Sequence, residues 1–327
     1  MTRSQVSKFA KLDPAHVLDG LFVPTAQKGQ ALYDVCGQFD GGEISFKGVQ
    51  LSVAHQSVLL SIAARTGRQP SAEGLVIAGT ANDLLAQVAE PAEQLELTDE
   101  QLELARQAQQ IARTGEAKKH DFSLVKTSAY SLLVDAGMKT GASDYHKLRE
   151  LLHAMATVVM YRNIKGTGGT SQLLSFQHQK DKFVVSLNWR LADAIFGGQN
   201  IHVSLTERHL LSESPVAKIL HTWLSAYIRP GQSLMAGHGA EVDTLIRHVW
   251  GNRPASESTL KQRRRRIREA LGAINALRGW TTSVEGSHAF ISRPKLLEHG
   301  GDPTRGEFLE AEARTELLWA EKWEKET

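Results

Sequence analysis

The sequence predicts an α+β protein, mainly helical, built from two tandem units in which a helix-turn-helix is followed by a β-hairpin. Three observations predict it. A capped, strongly basic helix follows a glycine turn near residue 256. A β-prone segment with a glycine in its middle follows that helix. The same order of elements occurs once upstream, between residues 123 and 188. In each unit the hairpin stands where a wing stands in a winged helix, so the chain reads as two tandem winged-helix domains.

The second unit carries the sharper pattern. Val242, Leu245, Ile246, Val249 and Trp250 recur at helical spacing, and Gly251 suits the positive φ that ends a helix. Asn252-Arg253-Pro254 continues the break, and Ser256 is placed to cap the next helix, with Thr259 three residues on. Across residues 256–277, Leu260, Ile267, Leu271, Ile274 and Leu277 share one face and KQRRRRIR covers the others. An arbitrary charge run of this kind is usually a solvated surface. Here the turn before it and the hairpin arms at 279–284 and 289–294 favour a helix lying against phosphates.

The first unit is read as a helix over 127–135, a break at Ala136-Gly137 and a helix capped by Ser143. A wing follows over 157–164 and 171–178 around the glycine-rich turn 165–169, and then a strand at 182–188. The remaining chain divides accordingly. Residues 1–50 form an N-terminal segment with short strands. Residues 51–198 hold the first domain, with an acidic helical insert near 80–120. Residues 199–296 hold the second domain, and 297–327 a Glu-rich helical extension.

Composition bounds the function. A chain of 327 residues with 41% hydrophobic content is long enough for two cores. Net charge is only +2, so affinity for a polyanion must come from local patches. The single cysteine, Cys36, excludes an intramolecular disulfide and a cysteine-based zinc finger. No apolar run reaches the length of a membrane span and the N-terminus lacks an apolar signal core, so the expected location is the cytoplasm, with no membrane partner. Catalytic patterns are missing. Gly166-Thr167-Gly168-Gly169 lacks the Lys-Ser/Thr of a phosphate loop, no His-Glu-x-x-His occurs, and no paired histidine accompanies His178. The expectation is a non-enzyme with no cofactor and no metal.

The candidate contacts follow from the helix starts. In the second unit they are Ser256, Ser258, Thr259, Lys261, Gln262, Arg263, Arg264, Arg265, Arg266 and Arg268, with His288 on the wing. Four consecutive arginines span more than one turn, so they cannot all face one groove wall. Replacing Arg264 and Arg265 by Ala is expected to weaken binding and lower its salt dependence. In the first unit the candidates are Lys139, Thr140, Ser143, Tyr145, His146, Lys147 and Arg149, with Arg162 and Lys165 on its wing.

Residues 201–295 closely resemble the iteron-binding replication initiator of IncQ-type plasmids, replication protein C. The resemblance runs through HVSLTERHLLSESPVAKILHTWLSAYIRPG, VDTLIRHVW, STLKQRRRRIREAL, LRGWT and ISRPK. The opening Asp13-Pro14-Ala15-His16 and Gly20-Leu21-Phe22 are similar too, and most of 10–295 is covered. The acidic insert and the segment after Pro294 depart from the pattern. The resemblance implies two winged helices gripping directly repeated double-stranded DNA, opening of an adjacent AT-rich region, and work alongside a plasmid helicase and primase. It leaves open whether a free homodimer must become a monomer first. Two rivals share the local features. One is a winged-helix transcriptional regulator that does not melt DNA, and the other is a protein-binding scaffold.

Overall fold

The computed structural model describes residues 9–27, 29–39, 41–66, 76–79, 122–164, 166–196 and 199–295. The helices expected in the insert near 80–120 and in the extension 297–327 lie outside the described residues, as does Lys165.

The N-terminal part is β-rich. Strand β1 (Phe9–Leu12) leads into a 3-10 turn (Pro14–Val17) capped by Asp13, whose carboxylate accepts from the Ala15 amide at 2.8 Å. Strands β2 (Phe22–Val23), β3 (Val35–Phe39), β4 (Gly42–Lys47) and β5 (Leu51–Ser52) follow. In β4 the buried Ile44 and Phe46 alternate with exposed Glu43 and Lys47, the period-2 signature of a half-buried strand. Helix α1 (Val53–Thr66) is buried on nearly every side, so it forms the centre of the first unit.

After α1 come β6 (Val76–Gly79) and β7 (Phe122–Ser128). Helix α2 (Ala129–Asp135) is capped by Ser128, and α3 (Ala142–Ala156) follows Gly137, whose φ is +65°. Two hairpins then succeed each other, β8 (Val159–Ile164) with β9 (Thr167–Gln172) and β10 (Leu174–Gln179) with β11 (Lys182–Leu187). Helix α4 (Trp189–Phe196), strand β12 (Ile201–Ser204) and the short α5 (Leu205–Leu210) lead to α6 (Pro215–Tyr227), with Ser214 as cap and Pro215 in the first turn. The chain continues as β13 (Ala240–Glu241), α7 (Val242–Trp250), α8 (Glu257–Asn275), β14 (Thr281–Glu285) and β15 (His288–Ser292).

The two units have one topology. In the second, α6, β13, α7, α8, β14 and β15 succeed each other and the sheet order is β13-β15-β14. In the first, α1, β7, α2, α3, β10 and β11 follow the same order, with the β8–β9 hairpin inserted between α3 and β10, sheet order β10-β11-β7 and β6 added beyond β7. Strand β7 corresponds to β13, β11 to β15 and β10 to β14.

Several expectations change. The described residues hold eight helices and fifteen strands in five sheets, so the protein is mixed α/β rather than mainly helical. Thr127, expected in a helix, stays in β7 opposite Phe183, because cross-strand pairing and burial on that face outweigh the helical pattern after it. Gly141, not Ser143, caps α3: the Asp144 carboxylate reaches back to the Gly141 amide at 3.1 Å. The glycine-rich hairpin pairs 159–164 with 167–172, and 174–179 turns back on 182–187 instead. Its strand β8 hydrogen-bonds β4, which places residues 35–39 and 42–47 in a sheet of order β3-β4-β8-β9.

One continuous apolar core runs through both units. Helices α1 and α6 pack across the seam, where Arg208 on α5 is buried with no carboxylate partner among the described residues. Its guanidinium donates to the Lys218 carbonyl, Thr222 Oγ1 and Ser57 Oγ. Burial pushes its pKa down to about 9, which still leaves it charged at neutral pH. The N-terminal segment ties the two units together. Asp13 accepts from Arg190 at 3.0–3.1 Å, β1 pairs with β12, and Asp19 binds His248 on α7. Gly20 lies against Gly251, so closely that a Cβ on Gly20 would stand 2.9 Å from the Gly251 Cα.

Candidate nucleic-acid interface

The centre of the candidate interface is α8. Ile267, Ala270, Leu271 and Ile274 are buried against the core, and Leu260 packs on it near the helix start. Over its first thirteen residues the exposed surface of the helix is made by Glu257, Ser258, Lys261, Gln262, Arg265, Arg266, Arg268 and Glu269. Six cations and two carboxylates occupy the helix, so its outer surface is strongly positive. The turn before it depends on Gly251, with φ +75° and ψ −174°, a region that side chains other than hydrogen rarely enter. The helix start is ordered by hydroxyls. Ser256 Oγ accepts from the Thr259 amide at 3.3 Å and lies 3.0 Å from Ser258 Oγ and 2.9 Å from Thr259 Oγ1.

The basic run divides by partner. Arg263 lies over the Trp250 ring at 5.2 Å, and partial burial lowers its pKa. Arg264 turns back onto α7. Its Nε and Nη2 each donate to Asp243 at 2.8 Å, and Nη1 donates to Glu257 at 2.8 Å. These two carboxylates raise the Arg264 pKa further, and Arg264 holds Asp243 below the usual carboxylate range. Arg265 approaches Glu269 one turn on at 3.4 Å, an exposed pair of little strength. Arg268 reaches the Gly286 carbonyl in the β14–β15 turn at 3.5 Å, and His288 at the start of β15 is exposed beside Ser287. Arg266 and Lys261 are exposed.

In the first unit, Lys139, Thr140, Ser143, His146 and Lys147 are exposed at the α2–α3 turn and the start of α3. Tyr145 is half-buried against the core, and His146 stands 3.8 Å from Glu150. Arg149 donates to the Lys180 carbonyl at 2.9 Å, which fixes the β10–β11 turn against α3. Arg162 stands apart from these residues. It lies over the Trp189 ring at 4.8 Å, in β8 of the other sheet.

Four residues escaped the sequence reading. Lys180 (φ +55°) and Lys182 flank the tip of the hairpin that corresponds to β14–β15, and Asp243 and Glu257 clamp Arg264. The signal for the first pair was Gln179-Lys180-Asp181-Lys182 between two alternating segments. The glycine-rich turn just before it is the stronger punctuation and drew the assignment away. No helix among the described residues is long and apolar enough to cross a membrane, and no group of three or more His, Cys, Asp or Glu side chains there could hold a metal ion.

Twice over, a helix with an exposed polar and cationic start stands next to a hairpin, on a shared core. This is the layout of a DNA-binding protein. The chain belongs to the replication protein C (RepC) family, whose model matches residues 5–295, and it is a replication initiator. No curated protein matches it. Among solved structures it is similar to one described as selenomethionine derivatives of domains 2 and 3 of RctB. Identity there is 8%, coverage is 88% of this chain and 100% of that chain, and the TM-score of 0.47 is too low to carry an argument.

Proposed function

We propose that this replication initiator binds directly repeated DNA at an origin through two winged helices and then opens an adjacent AT-rich region, without being an enzyme. The observation that carries the reading is the duplicated topology. Helices α3 and α8 hold the same place in two units of like order, with the hairpin β10–β11 beside α3 and β14–β15 beside α8. In a winged helix that helix enters the major groove and the hairpin flanks it. The outer surface of α8, with Ser258, Lys261, Gln262, Arg265 and Arg266, supplies base-edge and phosphate contacts. Lys139, Thr140, Ser143, His146 and Lys147 on the first unit, with Lys180 and Lys182 at its hairpin tip, supply those of the other half-site. A shared core and an N-terminal tie hold both units in one register, so they address consecutive grooves of one site. A separate helicase and primase would load on the opened strands, and a homodimer off DNA is a storage form in this scheme.

The test is a two-part assay with the full chain. Gel shift against origin repeats measures sequence-specific binding, and single-strand reactivity of the flanking AT-rich DNA measures opening. Specific binding with opening is expected. Specific binding without opening would make the protein a transcriptional regulator, and no specific shift would leave a protein-binding scaffold.

A further inference from the structure

Glu257 is a carboxylate on the helix that carries the basic run. It is the first residue of α8, between Ser256 and Ser258, and the helix's other carboxylate, Glu269, lies about three turns on. Its side chain is 79% exposed. A carboxylate there stands in the negative field of DNA, so a merely solvated one would weaken binding and would swing away freely. This one is held. Glu257 and Arg264 are seven residues apart, two turns along the same strip of helix, and Arg264 Nη1 fixes the carboxylate at 2.8 Å. Arg264 is fixed in turn by the two-pronged Asp243 contact on α7. The chain Asp243–Arg264–Glu257 therefore aims one carboxylate from the helix-turn-helix scaffold, and only one of its oxygens is used.

In the major groove a carboxylate can accept hydrogen bonds only from exocyclic amines. Guanine and thymine present acceptors there. Adenine presents an N7 acceptor next to its amine, whereas cytosine presents N4 without one. We propose that Glu257 is a specificity-determining residue that selects cytosine at one position of the site, and that Arg264 is its positioning residue rather than a phosphate contact. The inference rests on the reading of α8 as the groove-facing helix.

The experiment uses the full chain and a pool of randomised DNA duplexes, followed by Kd measurements on singly substituted duplexes. Wild type is expected to require cytosine at one position. Glu257→Ala should lose that preference, a change of about tenfold in discrimination, while every other position keeps its preference. Glu257→Gln, whose amide can donate to N7 while its oxygen accepts from N6, should admit adenine at the same position. Arg264→Ala should relax the same base pair, and the double variant should relax it no further. A structural role for Arg264 would lower the Tm without moving base preference. If Glu257→Ala binds all duplexes more tightly with the wild-type preference at every position, the carboxylate is only a solvated charge and the inference is overturned. If wild type itself enriches no sequence, the proposed function falls first, and this inference with it.

Discussion

Replacing Lys261, Arg265 and Arg266 together by Ala separates three exposed cations of α8 from Arg264, which Asp243 and Glu257 hold. All three side chains are exposed on the outer surface of the helix, and the Arg265–Glu269 pair is too solvent-screened to hold Arg265 away from DNA. Each phosphate contact contributes about 0.9 to the slope of log affinity against log salt, so losing three lowers the slope by about 2.7. Between 50 and 200 mM salt, the triple variant should lose roughly 40-fold less affinity than wild type. Arg264→Ala should behave differently. Its guanidinium already faces Asp243 and Glu257, so the slope should stay within the error of wild type even where affinity falls. Fluorescence anisotropy on a labelled repeat at five salt concentrations gives both numbers. An Arg264→Ala slope reduced by about 0.9 would refute the division of the arginine run, because it would mean that the ion pairs open to contact phosphate.

Three further outcomes are expected. Lys180→Ala with Lys182→Ala should weaken repeat binding and lower the salt slope, whereas Arg162→Ala, whose side chain lies on Trp189, should leave both unchanged; the same anisotropy titration reads the contrast. Gly251→Ala forces a side chain into φ +75° and sets its Cβ 3.1 Å from the Gly20 Cα, so it should cost about 2 kcal/mol or more and lower the Tm by several degrees in a thermal melt. Burial, with a smaller push from Lys147, takes the His55 pKa down to about 4, and its Nδ1 accepts from the Ser52 amide at 2.9 Å. The folded pKa lies below the unfolded value of 6.5, so the stability it contributes is present above pH 6.5 and lost as pH falls toward 4. Denaturant unfolding of wild type at pH 7 and pH 4.5 should differ by roughly 2–3 kcal/mol more than in His55→Gln, and equal losses would refute the assignment.

Local rules made the second unit legible. Val242, Leu245, Ile246 and Val249 before Gly251, the Ser256 cap, and the Ile267–Leu271–Ile274 stripe are each recorded within one helical period, and all appear where the pattern puts them. The hairpin at β14–β15 is equally local, since Gly286 lies at its turn. The first unit was harder because its decisive contacts are long-range. Strand β8 could pair with β9 beside it and also with β4, more than a hundred residues away, and no periodicity announces that second partner. Once β8 and β9 belong to that sheet, the hairpin beside α3 is β10–β11, and Lys180 and Lys182 at its tip, rather than Arg162, lie beside α3.

Taken alone, the sequence determined the family, the existence of a capped basic helix after a glycine turn, and the fact that four consecutive arginines cannot share one face. Those follow from side-chain order along a chain of known helical pitch. Only the tertiary structure decided which of the arginines are available. Arg264 is spoken for because folding brings Asp243 of α7 within 2.8 Å of it, and Arg263 because Trp250 closes beneath it. Ion pairs and ring contacts between helices depend on the crossing of two elements, and no residue pattern within either element records where they will cross.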